Sequence, residues 1–182
     1  MNVSDIVFIS GSPRAHSRSE RILFYLASLL QEKGYTTTHI SVTDIPAEDL
    51  LYANFNSDVI QQTNEKIANA KGVIIGTPVY KAAYSGALKT LIDLLPQDGL
   101  RGKPVLPIMT GGSAAHLLAI DFAFKPLIHA VKGEPVQGLY FQDGQIDATK
   151  SNPIQDSGML ERTEKQIQLF EQKLKEIYYE IV

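Results

Sequence analysis

The sequence contains no cysteine, which excludes disulfides, thiolate nucleophiles and most zinc sites and is compatible with a reducing compartment. It also has no excess of positive charge. The 17 Lys and Arg residues stand against 20 Asp and Glu, a net charge of −3 that gives no support to nucleic-acid binding. A signal-type segment at the start is missing, as is any apolar run of the ~18 residues that a membrane span needs. These absences predict a cytoplasmic protein with neither a membrane nor a nucleic acid as partner.

What the sequence does contain is an alternation of strand and helix patterns along its length. The predicted strands are 6–9, 35–42, 72–76, 104–109 and 136–141. The predicted helices are 19–33, 58–70, 85–95, 113–131 and 160–178, and the polar stretch 143–158 is predicted to be a mobile loop. Parallel strands joined by helical crossovers predict a flavodoxin-like, doubly wound α/β fold, with five parallel strands in the order 2-1-3-4-5 and helices on both faces. We expect one domain over 1–182.

The segment after the first predicted strand has the composition of a phosphate-binding loop. It reads Gly-Ser-Pro-Arg-Ala-His-Ser-Arg-Ser and precedes a helix, whose amino terminus attracts anions. Ser12, Ser17 and Ser19 offer hydroxyl donors, and Arg14 or Arg18 offers a bidentate guanidinium contact. With a single glycine it matches neither G-x-G-x-x-G nor the P-loop, and it suits a terminal monophosphate. The alternative is that a serine only caps the helix while the arginines are solvated.

Two further loops follow the third and fourth predicted strands and therefore share this edge of the sheet. A stiff Thr-Pro pair and two tyrosines suit a flat, partly polar ring, and paired glycines allow a ligand close to the backbone. Taken singly, each loop has an ordinary explanation, as a core tyrosine or a common turn. The candidate residues are Thr77, Pro78, Val79, Tyr80, Lys81, Tyr84, Ser85, Thr110, Gly111, Gly112 and Ser113. Together with the phosphate loop they predict a flavin mononucleotide (FMN) site.

No side chain is predicted to be catalytic, because a flavin and a nicotinamide carry hydride transfer themselves. The four histidines lack the spacing of a metal site, and no Ser/His/Asp arrangement is indicated, so no metal is expected. The predicted cofactors are FMN and NADPH or NADH. The sequence leaves the choice of nicotinamide open.

Four stretches of the sequence carry a resemblance to a known family. The most specific is Thr-Pro-Val-Tyr-Lys-Ala-Ala-Tyr-Ser-Gly-Ala-Leu-Lys-Thr-Leu, which begins at Thr77. The others are Gly-Ser-Pro-Arg, Pro-Ala-Glu-Asp-Leu-Leu-Tyr-Ala and Thr-Gly-Gly-Ser-Ala-Ala-His-Leu-Leu-Ala. Through them the chain resembles the NAD(P)H-dependent FMN reductases of two-component alkanesulfonate monooxygenase systems. The likeness covers residues 5–142 and fades in the carboxyl-terminal third.

The resemblance implies that FMN binds and leaves as a substrate. Reduced FMN then passes to a separate monooxygenase that desulfonates organosulfonates when sulfate is scarce. Carried over by position, the resemblance implies that the phosphate is held by Ser12, Arg14, Ser17 and Ser19. The ring and ribityl chain would be lined by Pro78, Val79, Tyr80 and Lys81. The other side of the ring would be approached by Gly111, Gly112 and Ser113.

Two alternative functions remain. One is a flavoprotein that retains FMN tightly and reduces quinones, azo compounds or metal oxyanions. The other is a flavodoxin-type electron carrier, which would ordinarily be strongly acidic, whereas this chain carries a net charge of only −3.

The predicted helix 113–131 is apolar around much of its circumference, which favours burial on more than one side. A subunit interface would provide this, although burial within one chain would also do so. In the resembling reductases, an inserted tyrosine makes a π-bulge at a subunit interface. The aligned position here is Phe122, after Asp121, and its ring has no hydroxyl to donate. We expect the π-bulge to be kept in this chain. We expect a homo-oligomer, either a dimer or a homotetramer.

Overall fold

A parallel β-sheet with helices on both faces makes up the computed structural model, which describes residues 5–179. The strands are β1 (Ile6–Ser10), β2 (Thr37–Ser41), β3 (Gly72–Pro78), β4 (Pro104–Gly111), β5 (Glu134–Pro135) and β6 (Leu139–Gln142). The α-helices are α1 (Arg18–Glu32), α2 (Ala47–Leu51), α3 (Asp58–Asn69), α4 (Gly86–Asp93), α5 (Lys125–Ala130) and α6 (Ser157–Tyr179). The strand order β2-β1-β3-β4-β5 confirms the predicted flavodoxin-like order.

Alternate residues of the central strands pack into two separate hydrophobic clusters. Val7 and Ile9 of β1 face the cluster that contains the apolar side chains of α3, α4 and α5. Ile6 and Phe8 face the other cluster, with those of α1 and α6. Because both faces are covered, every residue of β1 is buried, and the strand is a continuous apolar run apart from its last residue. This layering leaves the carboxyl edge of the sheet for the loops that follow the strands.

The fifth position of the sheet is divided between β5 and β6, whereas the sequence predicts one strand over 136–141. The Val105 carbonyl accepts a hydrogen bond from the Val136 N–H at 2.9 Å. Because the backbone groups of alternate residues in a strand point to the same neighbouring strand, Pro107 of β4 also faces the side of β5 and β6. Pro107 has no N–H to donate. Opposite it the chain bulges at Gly138, whose φ is +92° and whose N–H is bonded to Gln166 Oε1 at 3.2 Å. The strand is interrupted where β4 offers no donor.

The predicted helix 113–131 is wrong as a single element. A 3₁₀ turn (Ala114–His116) and a π-helix (Ile120–Phe124) precede the short helix α5. The N–H of Lys125 bonds to the carbonyl of Ile120, five residues earlier. Pro126 then lacks the N–H that a regular helix would use at the next position. The wider π turn is accordingly followed by a proline in the first turn of α5.

The segment 143–158, predicted to be a mobile loop, has a defined conformation. Ile146 and Ile154 are buried and form an antiparallel bridge. The Asp147 N–H donates to the Pro153 carbonyl at 2.8 Å. The segment is therefore a closed loop anchored in the core by two isoleucines.

Among residues 5–179, no helix combines the length and the apolar character that crossing a membrane requires.

Candidate functional site

A cleft of about 640 Å³ lies at the carboxyl edge of the sheet, where the loops after β1, β3, β4 and β6 meet. Its volume falls within the range of small-molecule sites, and its place is that of ligand sites in open α/β sheets. Of the residues predicted from sequence, the lining contains Ser12, Arg14, Ser17, Arg18, Pro78, Val79, Tyr80, Thr110, Gly111 and Gly112. Three separate predicted loops thus contribute to one cavity.

The phosphate loop is shaped by hydrogen bonds of its own serines. Ser17 is the N-cap of α1, and its Oγ accepts from the Glu20 N–H at 3.2 Å. Ser12 Oγ is buried, donates to the Arg14 carbonyl at 3.0 Å and accepts from the Arg14 N–H at 3.1 Å. Ser17 therefore does cap the helix, as the alternative interpretation required. Arg14 and Arg18 nevertheless line the cleft.

Three predicted residues are buried outside the cleft lining, where their hydroxyls bond to the protein itself. Ser85 Oγ donates to the Gly11 carbonyl and caps α4. Thr77 Oγ1 accepts from the Ser85 N–H at 3.0 Å. Ser19 is fully buried, with its Oγ 3.1 Å from that of Ser17. These side chains hold the loops in place without facing the cleft.

The loop after β3 turns tightly just beyond the cleft. Tyr80 and Ala83 exchange backbone hydrogen bonds of 2.9 and 3.2 Å. The two residues between them, Lys81 and Ala82, have φ values of 51° and 63°, a left-handed conformation that favours glycine. Tyr80 lines the cleft with its side chain 44% exposed, whereas Lys81 lies outside the lining.

Tyr84 and Ser113 also lie outside the lining. The Tyr84 ring packs with its centre 6.0 Å from that of Phe124. Ser113 Oγ accepts from the Ala115 N–H at 3.2 Å and caps the 3₁₀ turn that follows β4. Both residues link the ligand loops to the π-helix region.

Gly111 packs closely against the side chain of Tyr140. A Cβ at this position would lie 2.7 Å from the hydroxyl oxygen of Tyr140, which itself donates to the Ser113 carbonyl. Burial, and to a smaller degree the Asp143 carboxylate, raises the pKa of the Tyr140 phenol. The next residue, Gly112, has only Asp143 Oδ2 within contact range of such a Cβ, at 3.8 Å. The backbone of Gly112 is thus open to the cleft.

One wall of the cleft was not predicted from the sequence. This wall follows β6 and consists of Asp143, Ile146, Asp147, Ala148 and Thr149, and Ala15 and His16 complete the lining. A polar stretch looks like a solvated loop in the sequence. Its one available signal is its place directly after the last strand, whose carboxyl end shares the edge with the others.

The two residues assigned to a π-bulge lie in a π-helix and away from the candidate cleft. Asp121 and Phe122 belong to the π-helix, and neither lines the candidate cleft. Phe122 is 78% exposed, and Leu117 and Leu118 nearby are more than half exposed. Leu117, Leu118 and Asp121 also line a second cleft of about 500 Å³. This apolar surface is thus separate from the ligand loops.

A search of residues 5–179 finds no group of three or more His, Asp or Glu side chains arranged to hold a metal ion. The charged side chains of the candidate cleft are Arg14 and Arg18 and the carboxylates of Asp143 and Asp147. Hydrogen bonds from the hydroxyl and N–H of Thr149 lower the pKa of Asp147. The charged part of the cleft therefore consists of two guanidinium groups and two carboxylates.

Comparison with known proteins gives consistent results. The family described as NADPH-dependent FMN reductase matches residues 4–147. A curated protein of Pseudomonas putida named FMN reductase (NADPH) is 49% identical over 142 residues, 78% of this chain and 72% of that protein. One of the same name from Escherichia coli is 41% identical over 170 residues, 93% and 89% of the two chains. The crystal structure of the apo form of NADH:FMN oxidoreductase (EMOB) is 33% identical, with a TM-score of 0.82 over 94% of this chain and 89% of that one.

Proposed function

The chain belongs to the family of NADPH-dependent FMN reductases, and we propose that the FMN it reduces serves a separate monooxygenase that desulfonates alkanesulfonates. The protein is an oxidoreductase that uses FMN together with NADPH or NADH. Transfer to the monooxygenase is supported by the sequence run that begins at Thr77, which resembles reductases of such two-component systems. The proposal includes one domain over 1–182 and the cytoplasmic location expected from sequence.

One observation carries the binding part of the proposal: a single cleft contains both chemistries that FMN requires. Arg14 and Arg18 supply positive charge beside the amino terminus of α1, which suits a phosphate. Pro78 and Tyr80 supply a stiff apolar surface and an aromatic ring in the same cleft. At about 640 Å³ the cavity has the volume of a small-molecule site. The residues present therefore fit the flavin.

We assign the phosphate to the part of the cleft lined by Ser12, Arg14, Ser17 and Arg18, with the guanidinium groups of Arg14 and Arg18 as donors. The ring and ribityl chain are assigned to the lining residues of the next two loops, Pro78, Val79, Tyr80, Thr110, Gly111 and Gly112. When bound, FMN supplies the ring that accepts a hydride from the nicotinamide. The chain itself binds and orients, and no side chain is assigned a proton transfer.

The remaining predicted residues receive a positioning role. Ser19, Thr77 and Ser85 hold the ligand loops from inside the protein through their buried hydroxyls. Tyr84 and Ser113 connect these loops to the π-helix region, and Lys81 forms part of the tight turn. None of these six side chains is proposed to contact FMN.

We further propose that the exposed apolar surface formed by Leu117, Leu118 and Phe122 packs against a second copy of the chain, in a dimer or a tetramer. Monomeric proteins rarely leave large contiguous apolar patches exposed. The phenyl ring of Phe122 adds apolar area without requiring a hydrogen-bond partner.

The test of the reductase begins with dialysed protein and NADPH, with free FMN titrated. We expect NADPH oxidation to rise from near zero and saturate with FMN. Substantial turnover of a quinone without added FMN would instead indicate a tightly bound flavin.

The test of the delivery step adds a purified alkanesulfonate monooxygenase and an alkanesulfonate, and measures sulfite release. We expect sulfite only when the reductase, NADPH and FMN are all present. A monooxygenase that responds to chemically reduced FMN but not to this reductase would contradict the proposed partnership.

A further inference from the structure

We propose that Asp143 weakens the binding of FMN by holding the guanidinium group of Arg18 away from the phosphate. The inference rests on the proposed FMN site and goes further, because it assigns a role in tuning affinity to a residue outside the predicted ligand loops. It makes Asp143 a determinant of how tightly the phosphate of FMN is bound.

The two side chains meet across the cleft. Arg18 Nη1 lies 3.7 Å from Asp143 Oδ2, and both residues belong to the lining. Arg18 is the first residue of α1, and Asp143 opens the 3₁₀ turn (Asp143–Gln145) after β6. The ion pair thus joins the phosphate loop to the wall that sequence analysis missed.

Asp143 stands on a well-defined backbone. The Ile146 N–H donates to the Asp143 carbonyl at 3.3 Å, and the Gln145 side chain accepts from the Gln142 N–H at 2.9 Å. Ile146 is buried and anchors the far end of the turn. The carboxylate is therefore presented to Arg18 by a turn that is fixed at both ends.

The other acidic groups near the phosphate loop are engaged elsewhere. Glu20 accepts from the His16 N–H at 2.6 Å, within the loop itself. Asp147 accepts from the N–H and hydroxyl of Thr149 at 3.0 and 2.6 Å. Asp143 is the carboxylate paired with a cleft arginine, so it is the one that competes directly with a phosphate for a guanidinium group.

The ion pair between Arg18 and Asp143 affects the affinity for the ligand more than the stability of the fold. The side chains of Arg18 and Asp143 are 52% and 42% exposed, and ion pairs this exposed contribute little to folding stability. A phosphate dianion that approaches Arg18 must displace the carboxylate and is also repelled by it. Binding is therefore weaker than two free arginines would give.

The test compares FMN with riboflavin, which carries the same ring and ribityl chain but no phosphate. Dissociation constants are measured by flavin fluorescence for the full-length wild type, Asp143→Asn, Arg18→Ala and the double variant. We expect Asp143→Asn to tighten FMN binding about two- to fivefold and to leave riboflavin binding unchanged, which also shows that the cleft is intact. In the Arg18→Ala background the same change should have a clearly smaller effect, because only the direct repulsion between Asp143 and the phosphate remains.

Asp147→Asn is the matched control, because it removes a carboxylate of the same cleft that is not paired with Arg18. It should alter FMN affinity less than Asp143→Asn. An equal effect of the two variants, an unchanged FMN affinity in Asp143→Asn, or a gain of the same size with and without Arg18 would overturn the inference while leaving the FMN site in place. A wild-type protein that bound neither FMN nor riboflavin would instead refute the proposed function.

Discussion

The hydroxyl of Ser85 donates a hydrogen bond to the carbonyl oxygen of Gly11 and so joins the start of α4 to the phosphate loop. Ser85 Oγ also accepts from the Leu88 N–H at 3.0 Å, which caps α4. Thr77 Oγ1 in turn accepts from the Ser85 N–H, at 3.0 Å, and both side chains are fully buried. One serine therefore fixes two of the loops that line the candidate cleft.

We predict that Ser85→Ala lowers the free energy of unfolding by about 2 kcal/mol, because it removes a helix cap and leaves the Gly11 carbonyl without its donor. Urea denaturation provides the measurement. Ser28→Ala, which removes an exposed hydroxyl bonded to a carbonyl one turn earlier in α1, is the control and should cost far less. Equal losses for the two variants would show that the link between the loops contributes no stability of its own.

Arg14→Ala should weaken FMN binding by about 1.5–3 kcal/mol, the usual contribution of a hydrogen bond to a charged group. Riboflavin binding should stay at the wild-type value because it lacks the phosphate. Arg101→Ala serves as the control, since Arg101 is also an exposed arginine, paired with Asp98 outside the cleft. If Arg14→Ala and Arg101→Ala bound FMN equally well, Arg14 would be excluded from the phosphate site.

The strand order could be predicted because continuous apolar runs such as that of β1 require cover on both faces, and right-handed crossovers then allow few arrangements. The split of the fifth strand could not be predicted. It depends on which neighbouring strand Pro107 faces, and this is known only once the pairing of β4 with the strands on either side is known. The apolar pattern of the π-helix region predicts only a regular helix, because it does not reveal where a wider turn begins. The π-bulge was expected there from the family resemblance alone.

The candidate cleft was predicted where chain position determines it, in the loops directly after β1, β3 and β4. The roles of single hydroxyls were harder to predict. In sequence, Ser85 looks like a ligand donor as readily as a helix cap, and only its burial shows which protein groups it bonds. The wall at Asp143 was missed because polar composition alone is typical of a solvated loop.

Ala82→Gly should stabilise the protein by about 0.5–1 kcal/mol. Ala82 has a φ of 63°, where a Cβ is strained, and glycine relieves that strain at some cost in chain entropy. The comparison is Ala83→Gly at the next position, whose φ is not positive, and it should bring no gain. Both are measured by urea denaturation, and equal effects would mean that the turn stores no strain.

His39 should make stability depend on pH near neutrality. Its ring lies between those of Phe8 and Phe24, at centre distances of 5.0 and 4.5 Å, and burial lowers its pKa from the ordinary 6.5. The unfolded chain then binds a proton at a pH where the folded chain does not. Stability is therefore lost as the pH falls below about 6.5 and towards the folded pKa.

His39→Phe keeps an aromatic ring but cannot titrate, so its free energy of unfolding should change less than that of the wild type between pH 7.5 and 5.5. Urea denaturation at several pH values measures the two slopes. Identical slopes would assign the pH dependence to other groups.

Phe122 provides the test of assembly, because it is 78% exposed on the π-helix beside the exposed side chains of Leu117 and Leu118. We predict that Phe122→Glu shifts the protein to smaller species in sedimentation velocity, since a carboxylate in an apolar interface loses its hydration. Leu51→Glu is the control, because Leu51 is 71% exposed on α2 and lies outside this surface. Phe122→Tyr should keep the assembly, as the added hydroxyl can bond across the interface or to water. An unchanged distribution of species in Phe122→Glu would place the subunit contact elsewhere on the chain.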